Sequence, residues 1–551
     1  MIRPVFLGRI LSGFLIVNGL FPVTSFAQTE IPWWNHAVFY EVFVRSFYDS
    51  DGDGVGDLRG LIQKLDYLND GDPSTTSDLG ITGIWLMPIS QSPSYHGYDV
   101  VDYRSVEEDY GTLTDLVAFV DSAHSRGIRV ITDLVLNHTS DQHPWFMESA
   151  SSTDSPFRNW YVWEPDDPGY NGSWGQKVWH YRNGAYYLGQ FWDGMPDLNY
   201  SNEDMKAEMF DVTRFWLDTL SVDGFRLDAI KHLFEDGPRM ENAQETFDFL
   251  EEFRQFYKGI NTEAMTVGEA WLPTNEVAPY SDGNKVDYCF EFDLASAIIN
   301  GVKSEEPGSI VTQMNTVVGS YPSLQYATFL TNHDHDRVFE VLSQDMGKMK
   351  LAAAIYLTLP GVPFVYYGEE IGMTGSGRDE NKRTPMRWTD GLNAGFSTGT
   401  SWHSANSGYV DSNVEKMRED ENSLWHWYRK LISLRNENET LRLGNYYPLY
   451  GPVQSVCAYG RGTENEMAII LHNFRDDILE SPGLTLDESD LPAGEYLVTD
   501  LVTGDSVGSV AIDQNGGFTA WKPYIELGPK GTALLRVSPL LLNATPGVHD
   551  E

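Results

Sequence analysis

The chain has 551 residues, which predicts one large domain of about 250 to 400 residues together with a smaller one. Lys and Arg total 38 whereas Asp and Glu total 80, and the resulting net charge of −42 would repel phosphate backbones and anionic lipid surfaces. We therefore expect a neutral ligand and no nucleic-acid partner.

The N-terminus has the pattern of a secretory signal peptide. Arg3 and Arg9 flank the start of an apolar stretch of about eleven residues, and Ser25 and Ala27 form a small-x-small cleavage site. The apolar run is short for a membrane span, and no Cys follows the cleavage site for lipid attachment. We therefore interpret residues 1–27 as a signal peptide, and we expect a secreted or periplasmic protein without a membrane anchor.

Eight short apolar runs, rich in β-branched residues, follow with helical patterns between them. Strands that alternate with helices pair in parallel with the helices outside, and eight such units can close into a (β/α)8 TIM barrel. We assign residues 28–138 and 199–444 to this barrel. The predicted strands lie in HAVFYEVFVRSF from His36, GITGIWLMP from Gly80, GIRVITDLVLNH from Gly127, VDGFRLDA from Val222, MTVGEAW from Met265, VDYCFEFD from Val286, YATFLTNHD from Tyr326 and GVPFVYYGEE from Gly361.

Residues 139–198 interrupt the alternation after the third strand. This segment is rich in Trp, Tyr, Gly, Asp and Pro, and a loop of that length and composition predicts an ordered inserted subdomain. Its aromatic side chains either stack on the apolar faces of sugar rings or form the core of the insert. After a helical pattern from Ser423, alternating strands with Gly and Pro turns predict a separate antiparallel β domain over residues 445–541.

Polar side chains follow four of the eight predicted strands. In a barrel of this type the C-terminal ends of the strands and the loops after them form the active face. Repetition on four strands favours one common site over four unrelated solvated strand ends. The residues are Asp133, Asn137 and His138 after the third strand, Arg226 and Asp228 on the fourth, Glu269 on the fifth, and His333 and Asp334 on the seventh.

Two of these carboxyl groups suit the cleavage of a glycosidic bond, which commonly needs one ionised carboxylate and one protonated carboxyl. Arg226 lies two residues from Asp228 on the same face of a strand, and this cation favours a charged nucleophile. Glu269 follows the apolar segment MTVG, where burial would raise its pKa and favour a general acid. Asp334, with His333 beside it, is placed to hold sugar hydroxyls. A separation of about 5 Å between Asp228 and Glu269 would predict retention of the anomeric configuration.

The segments DLVLNH, GFRLDAIKH, VGEAW and FLTNHD occur in this order on the third, fourth, fifth and seventh strands. They resemble the four signature regions of the α-amylase family of glycoside hydrolases, and MPDLN at 195–199 resembles that family's additional motif. The resemblance covers the chain from about Trp33 to the C-terminus. It implies Asp228 as nucleophile, Glu269 as acid/base and Asp334 as transition-state stabiliser. It also implies substrate contacts from Tyr98, His138, Arg226, Lys231, His232 and His333.

Further segments narrow the resemblance. RTPMRW from Arg383 and MPDLN resemble the group intermediate between α-amylases and oligo-1,6-glucosidases. Tyr95 stands where exo-acting α-glucosidases of the family typically have an Asp that grips the non-reducing end, and KH at 231–232 is typical of amylases. These features favour a retaining α-amylase that cleaves internal α-1,4 bonds of starch and maltooligosaccharides. The sequence does not determine the oligomeric state, for which we expect a monomer. An exo-acting α-glucosidase or a transglycosylase is the alternative, and a non-catalytic sugar-binding relative is a more remote one.

The segment DSDGDGVGD at 49–57 predicts a calcium loop. Its carboxylates alternate along the chain at Asp49, Asp51, Asp53 and Asp57, and its glycines allow the tight wrap that a hard, oxygen-ligated cation requires. It is not an EF-hand, since Gly occupies the twelfth position, where an EF-hand has Glu. An acidic, solvated turn is the alternative interpretation.

The resemblance also implies calcium at this loop, with the backbone oxygen of Val55 as a further ligand. Many α-amylases have a second calcium site beside the insert, which would use Asn137 and His232 here. Asn199 replaces an Asp often found there, which argues against the second metal.

Overall fold

The computed structural model of the chain describes residues 31–451 and 455–540. The predicted signal peptide at 1–27 lies outside the described residues and stays a prediction. Among the helices of the described part, none has the length and apolar character needed to cross a bilayer.

Eight parallel strands form the centre of the molecule and confirm the predicted barrel. They are β1 (Phe39–Val42), β2 (Gly83–Leu86), β3 (Arg129–Leu134), β4 (Gly224–Leu227), β5 (Met265–Gly268), β6 (Tyr288–Cys289), β7 (Ala327–Thr328) and β8 (Val362–Tyr366). Consecutive strands pair from β1 to β6, and β8 pairs with both β1 and β7. A parallel bridge between Phe290 and Ala327 joins the segments of β6 and β7 and closes the ring.

Helices surround these strands, as alternating β and α units require. The helix after β2 begins with a capping box, in which the Thr112 hydroxyl accepts the backbone N–H of Asp115 and the Asp115 carboxylate accepts the backbone N–H of Thr112. The main helices of the barrel are Leu58–Gln63, Leu65–Leu68, Leu113–His124, Glu203–Arg214, Gln244–Ile260, Phe292–Ser304, Gly308–Ser320, Met346–Thr358, Leu424–Glu437 and Glu439–Leu443.

The interior of the barrel is filled by large apolar side chains. Phe39 and Phe364 stack inside it with ring centroids 4.5 Å apart, and Trp85 is fully buried beside them. These residues belong to a core cluster separate from the larger one between strands and helices. Because the barrel is packed rather than open, a substrate can reach only the polar side chains at its C-terminal face.

The segment after β3 folds as a small subdomain with a three-stranded antiparallel sheet, Trp163–Glu164, Trp179–Arg182 and Ala185–Leu188. Phe146 packs on Tyr161, Trp163 and Tyr187 with ring centroids 4.9 to 5.7 Å apart, so these aromatic residues are the core of the insert. Trp174, Tyr181 and Trp192 of the insert are instead exposed. The packing interpretation is confirmed for the core residues, and sugar stacking by the exposed ones stays a prediction.

The C-terminal part contains a six-stranded antiparallel sheet and confirms the predicted β domain. Its strands are β9 (Asn445–Pro448), β10 (Val456–Gly462), β11 (Met467–Asn473), β12 (Gly494–Asp500), β13 (Ser506–Ile512) and β14 (Thr532–Pro539), in the order β9-β10-β11-β14-β12-β13. Buried Arg461 joins the domain to the barrel, because its guanidinium donates to the Thr358 carbonyl at 2.7 Å, at the end of a barrel helix.

Candidate active site

The centre of the candidate site is the side chain of Arg226 on β4, which is 1 % exposed. Its Nη1 donates to Asp133 Oδ1 at 2.9 Å and to Asp228 Oδ1 at 2.6 Å, and its Nη2 lies 2.9 Å from Glu269 Oε2. The strand register places Asp133 of β3 beside Arg226. A single buried cation thus contacts three carboxyl groups from three neighbouring strands.

Burial raises the pKa of Asp228 and of Glu269 above their ordinary values, and Arg226 opposes the shift in each. Burial raises the pKa of Asp133 to about 7, again against Arg226. From the sequence we expected Arg226 to dominate at Asp228. The structure differs because the Asp228 side chain is only 11 % exposed and lies near the negative charge of Asp334. Since one cation cannot fully compensate three buried carboxylates, burial favours the protonated form within this cluster.

The backbone at the end of β4 also contacts Glu269. Ala229 has a φ of 48°, in the left-handed region that is unfavourable for a residue with a side chain. Its N–H donates to Glu269 Oε2 at 3.0 Å, on the same oxygen that faces Arg226. The other carboxyl oxygen of Glu269 is therefore the one available to carry a proton toward a bound ligand.

Asp334 has a different environment. His333 Nε2 lies 3.2 Å from Asp334 Oδ2, and Arg383 Nη2 donates to Asp334 Oδ1 at 2.9 Å. Although burial disfavours the charged form, these cations hold the pKa of Asp334 well below its ordinary value. Asp334 is thus an ionised carboxylate with two fixed cationic partners.

His333 is itself held by an acid from β1. Its Nδ1 lies 2.6 Å from Glu41 Oε1, and both side chains are buried. Burial disfavours the imidazolium, but the carboxylates of Asp334 and Glu41 raise the pKa of His333 to about 9. His333 is therefore protonated at neutral pH and donates on both sides. Sequence reasoning missed Glu41, although an acid within the apolar segment VFYEVF was a signal for it.

Tyr98 links His333 to the carboxyl groups around Arg226. Its hydroxyl lies 2.7 Å from His333 Nε2 and donates to Asp133 Oδ2 at 3.2 Å. The Tyr98 ring also stacks on the His333 ring at 5.5 Å. The ring presents an aromatic face beside the carboxyl groups, where an apolar sugar face could pack.

The other predicted contact residues lie at the edges of the cluster. His138 is buried, and its Nε2 has no hydrogen-bond partner within the described chain. Burial lowers the pKa of His138 to about 4 and that of His232 to about 4, so both rings are neutral at pH 7. Lys231 Nζ lies 2.8 Å from Glu241 and donates to the Trp271 carbonyl at 3.2 Å. Within the described structure, Lys231 and His232 thus make no hydrogen bond or ion pair with Arg226, Asp228 or Asp334. Both instead line a cleft together with Glu269.

The cleft beside Glu269 has a volume of about 420 Å³. Trp174 from the insert and Trp271 from the loop after β5 both line it, and these side chains are 57 % and 51 % exposed. The remaining lining residues are Phe191, Ala229, Lys231, His232 and Glu269. Exposed indole faces beside a buried carboxyl suit a neutral, polyhydroxylated ligand such as a sugar chain.

The acidic loop lies after β1, outside the carboxyl cluster. Carboxylate oxygens of Asp49, Asp51 and Asp57 lie within 4.8 Å of one another. The Asp53 carboxylate instead accepts the N–H of Val55 at 2.7 Å, so the structure groups three of the four predicted carboxylates. Hard oxygen donors at this spacing fit a calcium ion.

The residues considered for a second metal, which Asn199 puts in doubt, can also be located. Asn137 Nδ2 donates to the His232 carbonyl at 2.5 Å, so these two residues do meet. Asn199 Nδ2 donates to the carbonyl of Asn159 in the insert at 3.0 Å.

A closed parallel barrel that presents buried, cation-linked carboxyl groups at the C-terminal ends of its strands fits the class of glycoside hydrolases. Comparison with known protein families identifies the family to which the chain belongs. The family described as Alpha-amylase (Alpha amylase, catalytic domain) matches residues 41–444, and the chain belongs to this family.

Similar proteins include both an α-amylase and an oligo-1,6-glucosidase, the two types between which the predicted group lies. "Alpha-amylase 3" of Dictyoglomus thermophilum is 40 % identical over 450 residues, covering 80 % of this chain and 85 % of the relative. "Oligo-1,6-glucosidase" of Parageobacillus thermoglucosidasius is 34 % identical over 525 residues, covering 81 % and 91 %. The crystal structure of the α-amylase from H. orenii superposes with a TM-score of 0.79 at 38 % identity, covering 92 % of this chain and 99 % of that one. The predicted group is confirmed.

Proposed function

We propose that the protein is a retaining α-amylase that hydrolyses internal α-1,4 bonds of starch and maltooligosaccharides. The observation that carries this proposal is the shared contact of Asp228 and Glu269 with one guanidinium, because it holds the two carboxyl groups close together. Retention needs a separation of about 5 to 5.5 Å, whereas an inverting enzyme needs room for a water molecule between them.

In the first step the Asp228 carboxylate attacks the anomeric carbon while the glycosidic C–O bond breaks. Glu269 transfers its proton to the departing oxygen, and a covalent glycosyl ester of Asp228 results. In the second step the Glu269 carboxylate accepts a proton from water as the water oxygen attacks the same carbon and releases Asp228. Two inversions give net retention.

The remaining groups orient the sugar and stabilise charge. Asp334 is ionised between His333 and Arg383. It accepts hydrogen bonds from two sugar hydroxyls, and its negative charge stabilises the positive charge that develops on the sugar ring. Arg226 opposes the burial that raises the pKa of Asp228 and so favours the charged nucleophile, and Tyr98 offers its ring to the sugar face. We assign further sugar contacts to His138, Lys231 and His232.

We further propose that Asp49, Asp51 and Asp57 hold a calcium ion, with Asp53 and the Val55 carbonyl completing the site after local rearrangement. A bound Ca²⁺ would neutralise part of the acidic loop and stabilise its fold. The ion takes no part in bond cleavage, since its loop is separate from the carboxyl cluster. Export as a secreted or periplasmic protein is part of the same proposal and rests on the signal-peptide pattern of residues 1–27.

The test is a time course on soluble starch and on an end-blocked maltooligosaccharide, with product sizes and the released anomer followed by NMR. Mixed oligosaccharides released early from the blocked substrate as the α-anomer are expected. Release of the β-anomer would contradict retention. Cleavage of neither substrate by the folded, calcium-supplied protein would contradict the assignment.

An exo-acting α-glucosidase or a transglycosylase is the second candidate, favoured by the similarity to an oligo-1,6-glucosidase. It predicts glucose or transfer products from unblocked chains and no reaction with the blocked one. The same time course therefore separates the two candidates.

A further inference from the structure

Two buried arginines that take no part in the carboxyl cluster lie in the segments after β7 and β8. Arg337 follows β7, Arg387 lies in the loop after β8, and each residue is 2 % exposed. Among the described residues, neither guanidinium forms an ion pair with a carboxylate. Buried charges are normally paired, because an unpaired ion loses its hydration without compensation. These two arginines therefore need a source of negative charge.

Arg337 is held in place by backbone carbonyl groups and an aromatic ring. Its Nε donates to the Lys382 carbonyl at 2.7 Å, and its Nη1 donates to the Tyr367 carbonyl at 2.7 Å. The guanidinium also lies 4.3 Å from the centre of the Tyr366 ring. Its Nη2 has no hydrogen-bond partner in the part of the chain that the structure describes. The group is thus fixed, but it meets only partial negative charges.

Thr384 and Arg387 add further donors on the neighbouring loop. Nε and Nη2 of Arg387 and Oγ1 of Thr384 are likewise buried and have no hydrogen-bond partner among residues 31–451 and 455–540. The Thr384 carbonyl accepts the Tyr367 hydroxyl at 2.7 Å, so Thr384 and Arg337 both contact Tyr367. Burial, together with the charge of Arg337, lowers the pKa of Arg387 to about 10. The two guanidinium groups therefore lie within electrostatic range of each other.

The carboxyl groups near Arg337 supply little negative charge. Burial raises the pKa of Glu369 to about 8 and also raises the pKa of Glu370, in both cases against the charge of Arg337. Glu369 Oε1 accepts hydrogen bonds from the hydroxyls of Tyr356 at 3.0 Å and Tyr428 at 2.6 Å. Since burial favours the neutral form of both acids, they do not compensate two buried arginines at neutral pH.

We propose that Arg337, Thr384 and Arg387 bind a small monovalent anion of the chloride class in the protein interior. Three guanidinium nitrogens and one hydroxyl offer the N–H and O–H donors that an anion accepts. The three residues are at most 2 % exposed, which favours a single-atom ion over a phosphate or a sugar. Bridging water would satisfy the donors but would leave both positive charges uncompensated.

A bound anion would join the two segments that hold Asp334. Arg337 lies three residues after Asp334, and Thr384 directly follows Arg383, whose Nη2 donates to Asp334 Oδ1 at 2.9 Å. The anion would therefore stabilise the folded arrangement of both segments. The inference does not depend on the proposed function, because anion binding and stability can be measured without any substrate.

The first measurement is the Tm of the protein as potassium chloride replaces potassium gluconate at constant ionic strength. Both salts screen the net charge of −42 to the same extent, so the comparison isolates the small anion from the bulky one. Chloride should raise the Tm by about 1 to 3 °C, and the rise should saturate as one site fills. An equal Tm in the two salts at every concentration overturns the inference.

A pair of arginine variants tests where the chloride effect originates. Arg387→Gln should lose the chloride-dependent rise, and in gluconate its Tm should equal or exceed that of the wild type, because an uncompensated buried charge is gone. Arg59→Gln is the matched control, since it removes the same charge from a side chain that is 72 % exposed, and it should keep the rise. A full chloride-dependent rise in Arg387→Gln overturns the site.

Anomalous diffraction from wild-type crystals grown in potassium bromide gives a readout that does not depend on the folding of any variant. Bromide carries the same charge as chloride, and its anomalous peak should lie between the guanidinium groups of Arg337 and Arg387. Bromide peaks at surface positions only, or no peak at all, would overturn the proposed site.

Discussion

Replacement of Glu41 by Gln tests whether the buried acid on β1 keeps His333 charged. The pKa of His333 is raised from 6.5 to about 9 in the folded protein, with Asp334 and Glu41 as the raising groups. That difference corresponds to about 3 kcal/mol of unfolding free energy. Because the folded-state pKa is the higher one, this contribution is complete below pH 6.5 and is lost as the pH rises through 9.

Glu41→Gln removes one of the two raising charges while keeping the shape and one acceptor oxygen. We expect the unfolding free energy to fall by about 1 to 3 kcal/mol at pH 6 and the loss to shrink toward zero above pH 9. The assay is urea unfolding of wild type and variant between pH 6 and pH 9.5.

A double-mutant cycle supplies the control. In a His333→Gln background the Glu41→Gln substitution should lose its pH-dependent part, since the titrating partner is gone. A destabilisation by Glu41→Gln that is the same at every pH would refute the electrostatic reasoning and leave only a packing effect. Subtracting the two curves cancels the other buried groups that titrate in this window.

Three further predictions concern the carboxyl groups and the loop. Asp228→Asn should lower kcat on maltooligosaccharides by roughly 10⁴-fold or more with an unchanged circular dichroism spectrum; an undiminished rate would rule out Asp228 as the nucleophile. Glu269→Gln should abolish cleavage of maltooligosaccharides yet spare formation of the glycosyl ester from α-glucosyl fluoride, whose leaving group needs no proton; equal losses on both substrates in burst kinetics would contradict the acid role. Removal of calcium with EDTA should lower the Tm, and at 100-fold excess over Kd the ion should contribute about 2.7 kcal/mol. Asp51→Asn should make the Tm insensitive to EDTA, and an unchanged response in that variant would contradict the site.

Much of the architecture was readable from local patterns. Each of the eight apolar runs carries its own strand signal, and the polar residues after the third, fourth, fifth and seventh strands must meet, because parallel strands place their C-terminal ends on one face. The change from helical to alternating patterns near residue 445 likewise predicted the β domain without knowledge of any contact. The family resemblance was carried by the same short segments.

The electrostatics of the site depended on distances that no local pattern contains. Arg226 and Asp228 are two residues apart, yet the pKa of Asp228 also depends on its burial and on Asp334, about one hundred residues away in the chain. Glu41 reaches His333 across 292 positions, so its role could not be read from the neighbourhood of either residue.

The loops also differ in what the sequence reveals, since one feature of them is local and another depends on tertiary contacts. The alternating carboxylates of residues 49–57 predicted a cation-binding loop without any tertiary information, because their spacing is local. The contacts between that loop and residues 396–402 join segments some 350 positions apart, through backbone carbonyl groups and glycines that have no side-chain signal. The sequence alone thus determined which elements form and which side chains are chemically competent. Only the tertiary structure decided which charges are buried together and which aromatic rings meet, because burial and long-range contact are properties of the packed chain.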